Sequence, residues 1–271
     1  MAKDIVRAIV VGAAGRMGMR ILTAIHENSN VLLAAAVERQ DHPSLGRDAG
    51  EIAGLEKWNI PLSGSLKQVI SSGDVIIDFT NAESSLKNLQ EAAENGKSAV
   101  IGATGFSSSQ IQEAQVLTRK IPCVLSPNMS VGVNVMFRVI ADLAKILGED
   151  YDLEVIEAHH RMKKDAPSGT AMKMGQILAQ ALNRNLDQVG TYQRKGIIGE
   201  RKRAEIGMQT IRAGDIVGEH TVIFGGLGER LEITHRAHSR DNFARGAVRA
   251  ASWVVKQKPG LYDMQDVLGL K

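Results

Sequence analysis

Val6-Arg7-Ala8-Ile9-Val10-Val11-Gly12-Ala13-Ala14-Gly15-Arg16-Met17-Gly18 decides the fold. The first six residues are apolar apart from Arg7, the pattern of a strand buried on both faces. Glycines follow at once, and then Met19, Ile21, Leu22 and Ile25 recur at helical spacing. The order is strand, glycine turn, helix. Glycines let a backbone turn tightly and approach a pyrophosphate closely. The helix N-terminus adds unpaired N–H groups and the positive end of its dipole. The spacing is GxxGxxG, not the commoner GxGxxG, and taken alone it serves a purely structural turn equally well.

The next strand moves the balance towards a dinucleotide. Val31 to Val37 is apolar and ends in Glu38-Arg39. An acidic residue about 20 positions after a glycine loop is where the adenosine ribose hydroxyls are read. Glu38 suits both hydroxyls of NADH, while Arg39, with Arg16, suits the 2′-phosphate of NADPH. The expectation is use of NADH and NADPH. The structural alternative, an exposed ion pair at a strand end, fits Arg39 better than Glu38.

Beyond a polar excursion at Asp41 to Lys57, read as a loop, strands and helices alternate. Strands are expected at Val75–Thr80, Ser98–Gly102 and Cys123–Leu125, and helices at Ala82–Asn95 and Ser108–Arg119. Repeated βα units imply a parallel, Rossmann-like sheet with right-handed crossovers. Ligands in such sheets sit outside the carboxyl ends of strands. That directs attention to Thr80-Asn81, Gly102-Ala103-Thr104 and Ser126-Pro127-Asn128-Met129. A long apolar helix, Val131 to Leu147, then leads out of the first domain.

The second half reads differently. A strand at Tyr151–Glu157 and a helix at Gly169–Leu182 precede an aperiodic stretch, Arg184 to Arg203, read as a long loop. Strands at Ile206–Ala213, Thr221–Gly225 and Glu229–His238 are joined by glycine-rich turns, which implies a mostly antiparallel sheet. A last helix, Asn242 to Lys256, is expected to return to the first domain. The fold class is therefore α/β with a second, α+β domain. The expected division is residues 1–130 with 240–271 returning, and 131–239.

Composition narrows the function. A net charge of +3 over 271 residues is too mild for a nucleic-acid protein and slightly favours small anions. Arg194-Lys195 and Arg201-Lys202-Arg203 lack interleaved aromatics apart from Tyr192, so a solvated or substrate-facing loop is the better reading. No apolar run reaches the roughly 18 residues of a membrane span. Met1-Ala2-Lys3-Asp4 leads straight into a strand, so no secretory leader is expected. The single cysteine, Cys123, allows no internal disulfide and points to the reducing cytoplasm.

The chemistry concentrates in Glu154-Val155-Ile156-Glu157-Ala158-His159-His160-Arg161-Met162-Lys163-Lys164-Asp165-Ala166-Pro167-Ser168-Gly169-Thr170-Ala171. A histidine can give or take a proton at neutral pH, and Lys163 adds a positive charge or a second proton. Ser168-Gly169-Thr170 opens a helix, which makes a seat for a carboxylate, and His160 can hydrogen-bond a second one. The group suits a small dicarboxylate protonated beside a nicotinamide. Metal ligation by His159, His160 and Asp165 is disfavoured by Arg161, Lys163 and Lys164. Ser168 lacks the GxSxG elbow of a nucleophile.

Glu157-Ala158-His159-His160-x-x-Lys163-x-Asp165-Ala166-Pro167-Ser168-Gly169-Thr170-Ala171 resembles the signature of the dihydrodipicolinate (4-hydroxy-tetrahydrodipicolinate) reductase family. Gly12-x-x-Gly15-Arg16-Met17-Gly18, Arg212 to His220 and Glu229 to His235 fit as well, so the resemblance runs end to end. It implies NAD(P)H-dependent reduction of a cyclic imine-type dicarboxylate to tetrahydrodipicolinate, in lysine and diaminopimelate synthesis. It further implies His159 as acid/base and Lys163 as proton donor. His160, Ser168, Gly169, Thr170 and Thr104 would bind substrate. Gly12, Ala13, Ala14, Gly15, Arg16, Met17, Glu38, Arg39, Gly102, Ala103, Thr104, Ser126, Pro127, Asn128 and Met129 would contact the cofactor. A homotetramer built through the second domain's sheet, and no metal, complete the expectation. Asn81, Ala103 and Met129 stand where arginine, threonine and phenylalanine are common, which bears on cofactor preference rather than on the reaction. A different two-domain dehydrogenase would share the first half without needing the His-His-Lys-Ser-Gly-Thr group. A non-catalytic NAD sensor would have little reason to keep His159 and Lys163.

Overall fold

A computed structural model describes residues 5–271. The residues on which the expectation of no leader rests lie outside the described ones. The chain divides into two compact units. One runs to Val131 and resumes over Arg240–Lys271, and the other is Gly132–Ser239.

The first unit opens with β1 (Val6–Val11), α1 (Arg16–His26), β2 (Val31–Val37), α2 (Ala49–Ile52), β3 (Leu62–Ser63) and α3 (Leu66–Val69). It continues through β4 (Val75–Asp78), α4 (Ala82–Glu94), β5 (Ser98–Ile101), α5 (Ser108–Leu117) and β6 (Pro122–Leu125). Then come α6 (Val131–Leu147), β7 (Asp152–His159), α7 (Gly169–Ala181), α8 (Leu186–Val189), β8 (Gly190–Thr191), β9 (Ile206–Arg212), β10 (Gly218–Gly225) and β11 (Arg230–Ala237). The chain closes with α9 (Asp241–Val254), β12 (Gly260–Tyr262) and α10 (Met264–Leu268).

Successive residues of a strand face opposite ways, and each face of the first sheet has its own apolar layer. Ala8, Val10, Ile77, Val100 and Val124 join residues of α1 and α9 on one side. Ile9, Val11, Ile76, Ile101 and Cys123 join residues of α4 and α5 on the other. That two-sided burial is why the strands read as unbroken apolar runs. The strand order is β12-β6-β5-β4-β1-β2-β3, with every ladder parallel. The order reverses between β1 and β4, the switch point outside which ligands bind in such sheets.

Two stretches of this unit differ from expectation. The polar excursion contains a helical turn, α2, because Asp48 is buried and organises it. Its carboxylate accepts N–H groups from Gly50, Trp58 and Ile60 at 2.9 Å and from Glu51 at 3.3 Å. Burial pushes its pKa up, and these four donors outweigh burial and hold it low. The three residues of β12 carry no strand pattern of their own and are ordered by pairing with β6.

In the second unit α6, α7 and one face of β7, β9 and β10 share a core of Phe137, Ile140, Val155, Met174, Leu178, Met208, Val222 and Phe224. The sheet order is β11-β10-β7-β9-β8. It is mixed: β10 is antiparallel to β7 and β11, whereas β9 is parallel to β7 and β8. Strand β7 lies between β9 and β10, so those two, consecutive in the second half, do not pair. The stretch expected to be a free basic loop is stapled down instead. Arg194 binds Glu154 at 2.7 Å and also Glu205, and Arg201 binds Asp152 at 2.7 Å and the Leu153 carbonyl at 3.0 Å. These arginines answer carboxylates of β7 and its neighbour rather than solvent.

Candidate active site

In the first unit the sequence-selected residues gather at the ends of β1 and β2. Gly12 has φ +70°, a left-handed conformation that glycine adopts without strain. A Cβ on it would lie 2.9 Å from Thr80 Cγ2, and one on Gly18 would collide with the carbonyls of Gly12 and Ala13. The turn is thus shaped for close backbone packing. Gly15 caps α1 with extended backbone and no side-chain acceptor, and the first turn holds no acid. No acid in the first turn of α1 itself competes with an incoming anion. Glu38 Oε2 accepts the Ala14 N–H at 3.2 Å, tying the acid that ends β2 to the glycine loop. Arg16 and Arg39 are exposed, and Arg39 pairs with Asp41 at 3.2 Å. Backbone N–H groups, a shaped turn and a positioned carboxylate fit a dinucleotide.

The neighbouring strand ends are closed largely by their own hydrogen bonds. Asp78 is buried and accepts from the Thr80 N–H and hydroxyl and from Asn88, each at 2.7 Å. The Gly102 N–H donates to the Asp78 carbonyl at 2.9 Å, and a Cβ at Gly102 would strike the Phe79 ring. Ser126 Oγ donates to the Asn128 carbonyl at 3.0 Å, and Asn128 Oδ1 accepts the Ser130 N–H at 2.9 Å. Ala13, Ala103 and Met129 are buried, Pro127 and Thr104 are exposed, and Met17 is half-buried. Buried Ala13, Ala103 and Met129 offer a ligand mainly backbone. Asn81 caps α4, accepting the Ser84 N–H at 3.0 Å.

The second cluster lies at the end of β7. Alternation carries its core-facing row through Leu153 and Val155 to Glu157 and His159. An apolar row thus ends in an acid and an imidazole. The Glu157 side chain is fully buried and the His159 side chain is 12% exposed. Glu157 Oε2 receives His159 Nδ1 at 2.5 Å and Arg212 Nη1 at 2.8 Å. Its Oε1 receives the Ser168 N–H at 2.9 Å, Arg212 Nη2 at 2.8 Å and Thr210 Oγ1 at 3.3 Å. Register explains the meeting: Glu157 lies opposite Thr210 on one side and His220 on the other, and His159 lies opposite Arg212.

Burial alone would raise the Glu157 pKa. Hydrogen bonds from Arg212, His159 and Ser168 outweigh it and keep the carboxyl ionised. Burial lowers the pKa of His159, aided by the charges of Lys163 and Arg212 and opposed by Glu157. Burial lowers His220 further, to about 3, so it is neutral. Its ring stands edge-on to His159 at 5.2 Å, and its Nε2 lies 3.1 Å from Ser168 Oγ. His220 Nδ1 is buried without a partner. The tautomer protonated on Nε2 and donating to Ser168 avoids burying an unpaired N–H.

The loop after β7 is stitched to the end of β9. The Ala213 N–H donates to the His159 carbonyl at 3.0 Å, Arg161 N–H to the Gly214 carbonyl at 3.1 Å, and Arg212 to the Asp165 carbonyl at 2.7 Å. Lys163 is 21% exposed, with Nζ 2.9 Å from Asp165 Oδ1. A cis Ala166–Pro167 bond precedes Ser168, which caps α7 by accepting the Ala171 N–H at 3.2 Å. His160, half-buried, begins the loop, and Gly169 and Thr170 form the first turn of α7. Glu157, Arg212 and His220 had no assigned role in the sequence. Glu157 was legible from its period-two spacing to His159. The other two depend on pairings that span some 50 residues or more.

Comparison with known proteins identifies the family. Residues 6–129 match the family model for the N-terminus of dihydrodipicolinate reductase, and residues 132–268 match that for its C-terminus. The chain is 58% identical over 265 residues to 4-hydroxy-tetrahydrodipicolinate reductase of Syntrophus aciditrophicus (strain SB), covering 98% of this chain and 99% of that one. It is 59% identical over 266 residues to the enzyme of that name from Geotalea uraniireducens (strain Rf4), covering 98% and 100%. A dipicolinate-bound dihydrodipicolinate reductase from Paenisporosarcina sp. TG-14 shares the fold, with TM-score 0.75 at 24% identity over 97% of this chain and 98% of that one. The chain belongs to the dihydrodipicolinate reductase family.

Proposed function

We propose that His159 and Lys163 supply the proton for the reduction of 4-hydroxy-tetrahydrodipicolinate to tetrahydrodipicolinate, the family's step in lysine and diaminopimelate synthesis. The reduction adds one hydride and one proton, and one water leaves. Bound NADH or NADPH supplies the hydride. Gly12, Ala13, Ala14, Gly15, Arg16 and Met17 would hold the pyrophosphate at the N-terminus of α1. Glu38 and Arg39 would read the adenosine ribose. Gly102, Ala103, Thr104, Ser126, Pro127, Asn128 and Met129 would border the nicotinamide, Thr104 also meeting substrate.

The observation that carries this reading is that both oxygens of Glu157 are shared between His159 and the opening of α7. His159 is thereby held with Nδ1 occupied and Nε2 available. Ser168 receives from His220 and Ala171, which leaves its own hydroxyl proton for a substrate carboxylate. The Gly169 and Thr170 N–H groups, the Thr170 hydroxyl and His160 would complete the seat for a dianion. Lys163 would add charge and a second proton.

The reading extends to a homotetramer assembled through the five-stranded sheet, supported by Ile156, Ile211 and Ile223 on the face away from the core; Ile211 is 47% exposed. Light scattering at a mass of four chains is the check. A cytoplasmic location accords with Cys123, whose buried thiol is pushed up in pKa and is inert. The functional test is oxidation of NADH and NADPH by the purified protein, with substrate made in situ from pyruvate and aspartate semialdehyde by the preceding synthase. Oxidation that requires the synthase is expected. Cofactor binding without oxidation would overturn the reading.

A further inference from the structure

We infer that Glu157, held by Arg212, is the positioning residue of the reaction: one buried carboxylate fixes both the tautomer of His159 and the place of the carboxylate seat. The inference rests on the reading of His159 as acid/base. Its ground is geometric. Glu157 ends an otherwise apolar row of β7, where burying an unpaired charge is expensive. It accepts five hydrogen bonds within 3.3 Å, two from Arg212 in a fork. Two of the five reach opposite sides of the site. Oε2 takes His159 Nδ1, so the neutral imidazole carries its proton there and turns Nε2 outward. Oε1 takes the Ser168 N–H, which sets where α7 starts. A shift of this carboxylate would move the proton carrier and the anion seat together, and their separation is what a bound substrate must match.

Every element packed against His159 supports this geometry. Glu157 comes from its own strand, Arg212 from β9 and His220 from β10, and Lys163 lies in the following loop. Gly218 of β10 leaves room for the ring, since a Cβ there would stand 3.1 Å from His159 Nε2. Glu157 is the acid that bears on His159, against the opposing charges of Lys163 and Arg212. Glutamine at 157 would turn its amide N–H₂ towards Arg212, a group with only donors, whichever oxygen position the nitrogen took.

The test is a cycle of Glu157→Gln, His159→Ala and the double variant, assayed for both cofactors across pH. Glu157→Gln should lower kcat about a hundredfold, within the usual range of an acid/base contribution, with the greater loss in kcat rather than KM. The limb of the pH profile that belongs to His159 should move to lower pH, because the nearby negative charge is gone. In the His159→Ala background the same change should cost clearly less than in the wild type, since residues acting as a unit are non-additive and only its effect through the seat remains. A His Nδ1–H resonance far downfield in the proton spectrum should vanish in either single variant. Glu157→Asp, which keeps the charge, should hold the limb near its wild-type position and shows whether a loss in Glu157→Gln reflects misfolding. Full activity of His159→Ala would overturn the acid/base reading itself. An inactive His159→Ala with an unmoved limb in Glu157→Gln, or with losses that multiply, would overturn the positioning role alone.

Discussion

The two candidate binding ends of this chain are built to the same plan and work by opposite means. Each is a strand that runs through a turn into a helix N-terminus: β1 into α1, and β7 into α7. At β1 the turn is built on glycines, α1 has no side-chain cap, and Glu38 is fastened to the loop. At β7 the loop carries imidazoles, a lysine and a capped helix, arranged around a fully buried glutamate. On the proposed reading the first end would recognise through backbone shape, which many side-chain changes leave intact. The second places ionisable groups one by one, so each deletion removes chemistry. Single side chains should therefore matter greatly at β7 and modestly at β1.

The largest effect is expected at His159 and Lys163, the proposed proton carriers. His159→Ala or Lys163→Ala should lower kcat by roughly two to four orders of magnitude, measured as synthase-coupled NADH oxidation. Retained turnover in both variants would erase the difference between the two ends. Thr170→Val probes the seat at α7 rather than the proton. It should raise KM for substrate by about tenfold, the worth of one hydrogen bond to a charged group, with kcat little changed. A fall in kcat at unaltered KM would contradict a role in ground-state binding.

Burial at the β7 end also makes stability depend on pH. The folded pKa of His220 is depressed to about 3, with burial the main cause, against about 6.5 in the unfolded chain. The stability that neutral His220 allows is complete above pH 6.5 and is lost as pH falls towards 3, because the unfolded chain takes the proton first. Carboxylates hardly contribute between pH 6.5 and 5, so that window isolates the histidines. Across it, His220→Gln should remove up to about 1.4 kcal/mol of dependence per pH unit, read from urea midpoints. The same slope in both proteins would mean that His220 is charged in the folded state.

Most of the architecture could be read from the residues, and the reason differs between the units. The first sheet is buried on both faces, so its strands announce themselves as apolar runs. The exceptions were ordered from outside: α2 by the four N–H groups on Asp48, and β12 by the open edge of β6. In the second unit local patterns revealed the strands but not their neighbours. That β7 lies between β9 and β10 follows from no short-range pattern, and this is why Arg212 and His220 went unassigned although His159 was evident. The basic loop misled for a related reason, since Arg194 and Arg201 find their carboxylates on β7, some 40 residues or more away. The glycine turn, the helix after it and the acid at the end of β2 needed only local spacing.

The smallest effect sharpens the comparison most, because it falls at the β1 end. Glu38 is fastened to the Ala14 N–H, so its carboxylate is in place before any ribose arrives. Arg39 is exposed and pairs with Asp41, which is exposed too, and exposed pairs are worth about 0–1 kcal/mol. The guanidinium is thus readily diverted to a 2′-phosphate. Arg39→Ala should lower kcat/KM for NADPH by about three- to tenfold, the loss of a solvent-screened contact, and leave NADH nearly unchanged. Glu38→Ala should do the reverse, weakening NADH by a similar factor and sparing NADPH, since it removes an acceptor for ribose hydroxyls and a like charge near the phosphate. Initial rates with the two cofactors give the ratio directly. If either change altered both cofactors a hundredfold, the adenosine end would depend on individual side chains as the β7 end does, and backbone shape would no longer explain how this loop binds.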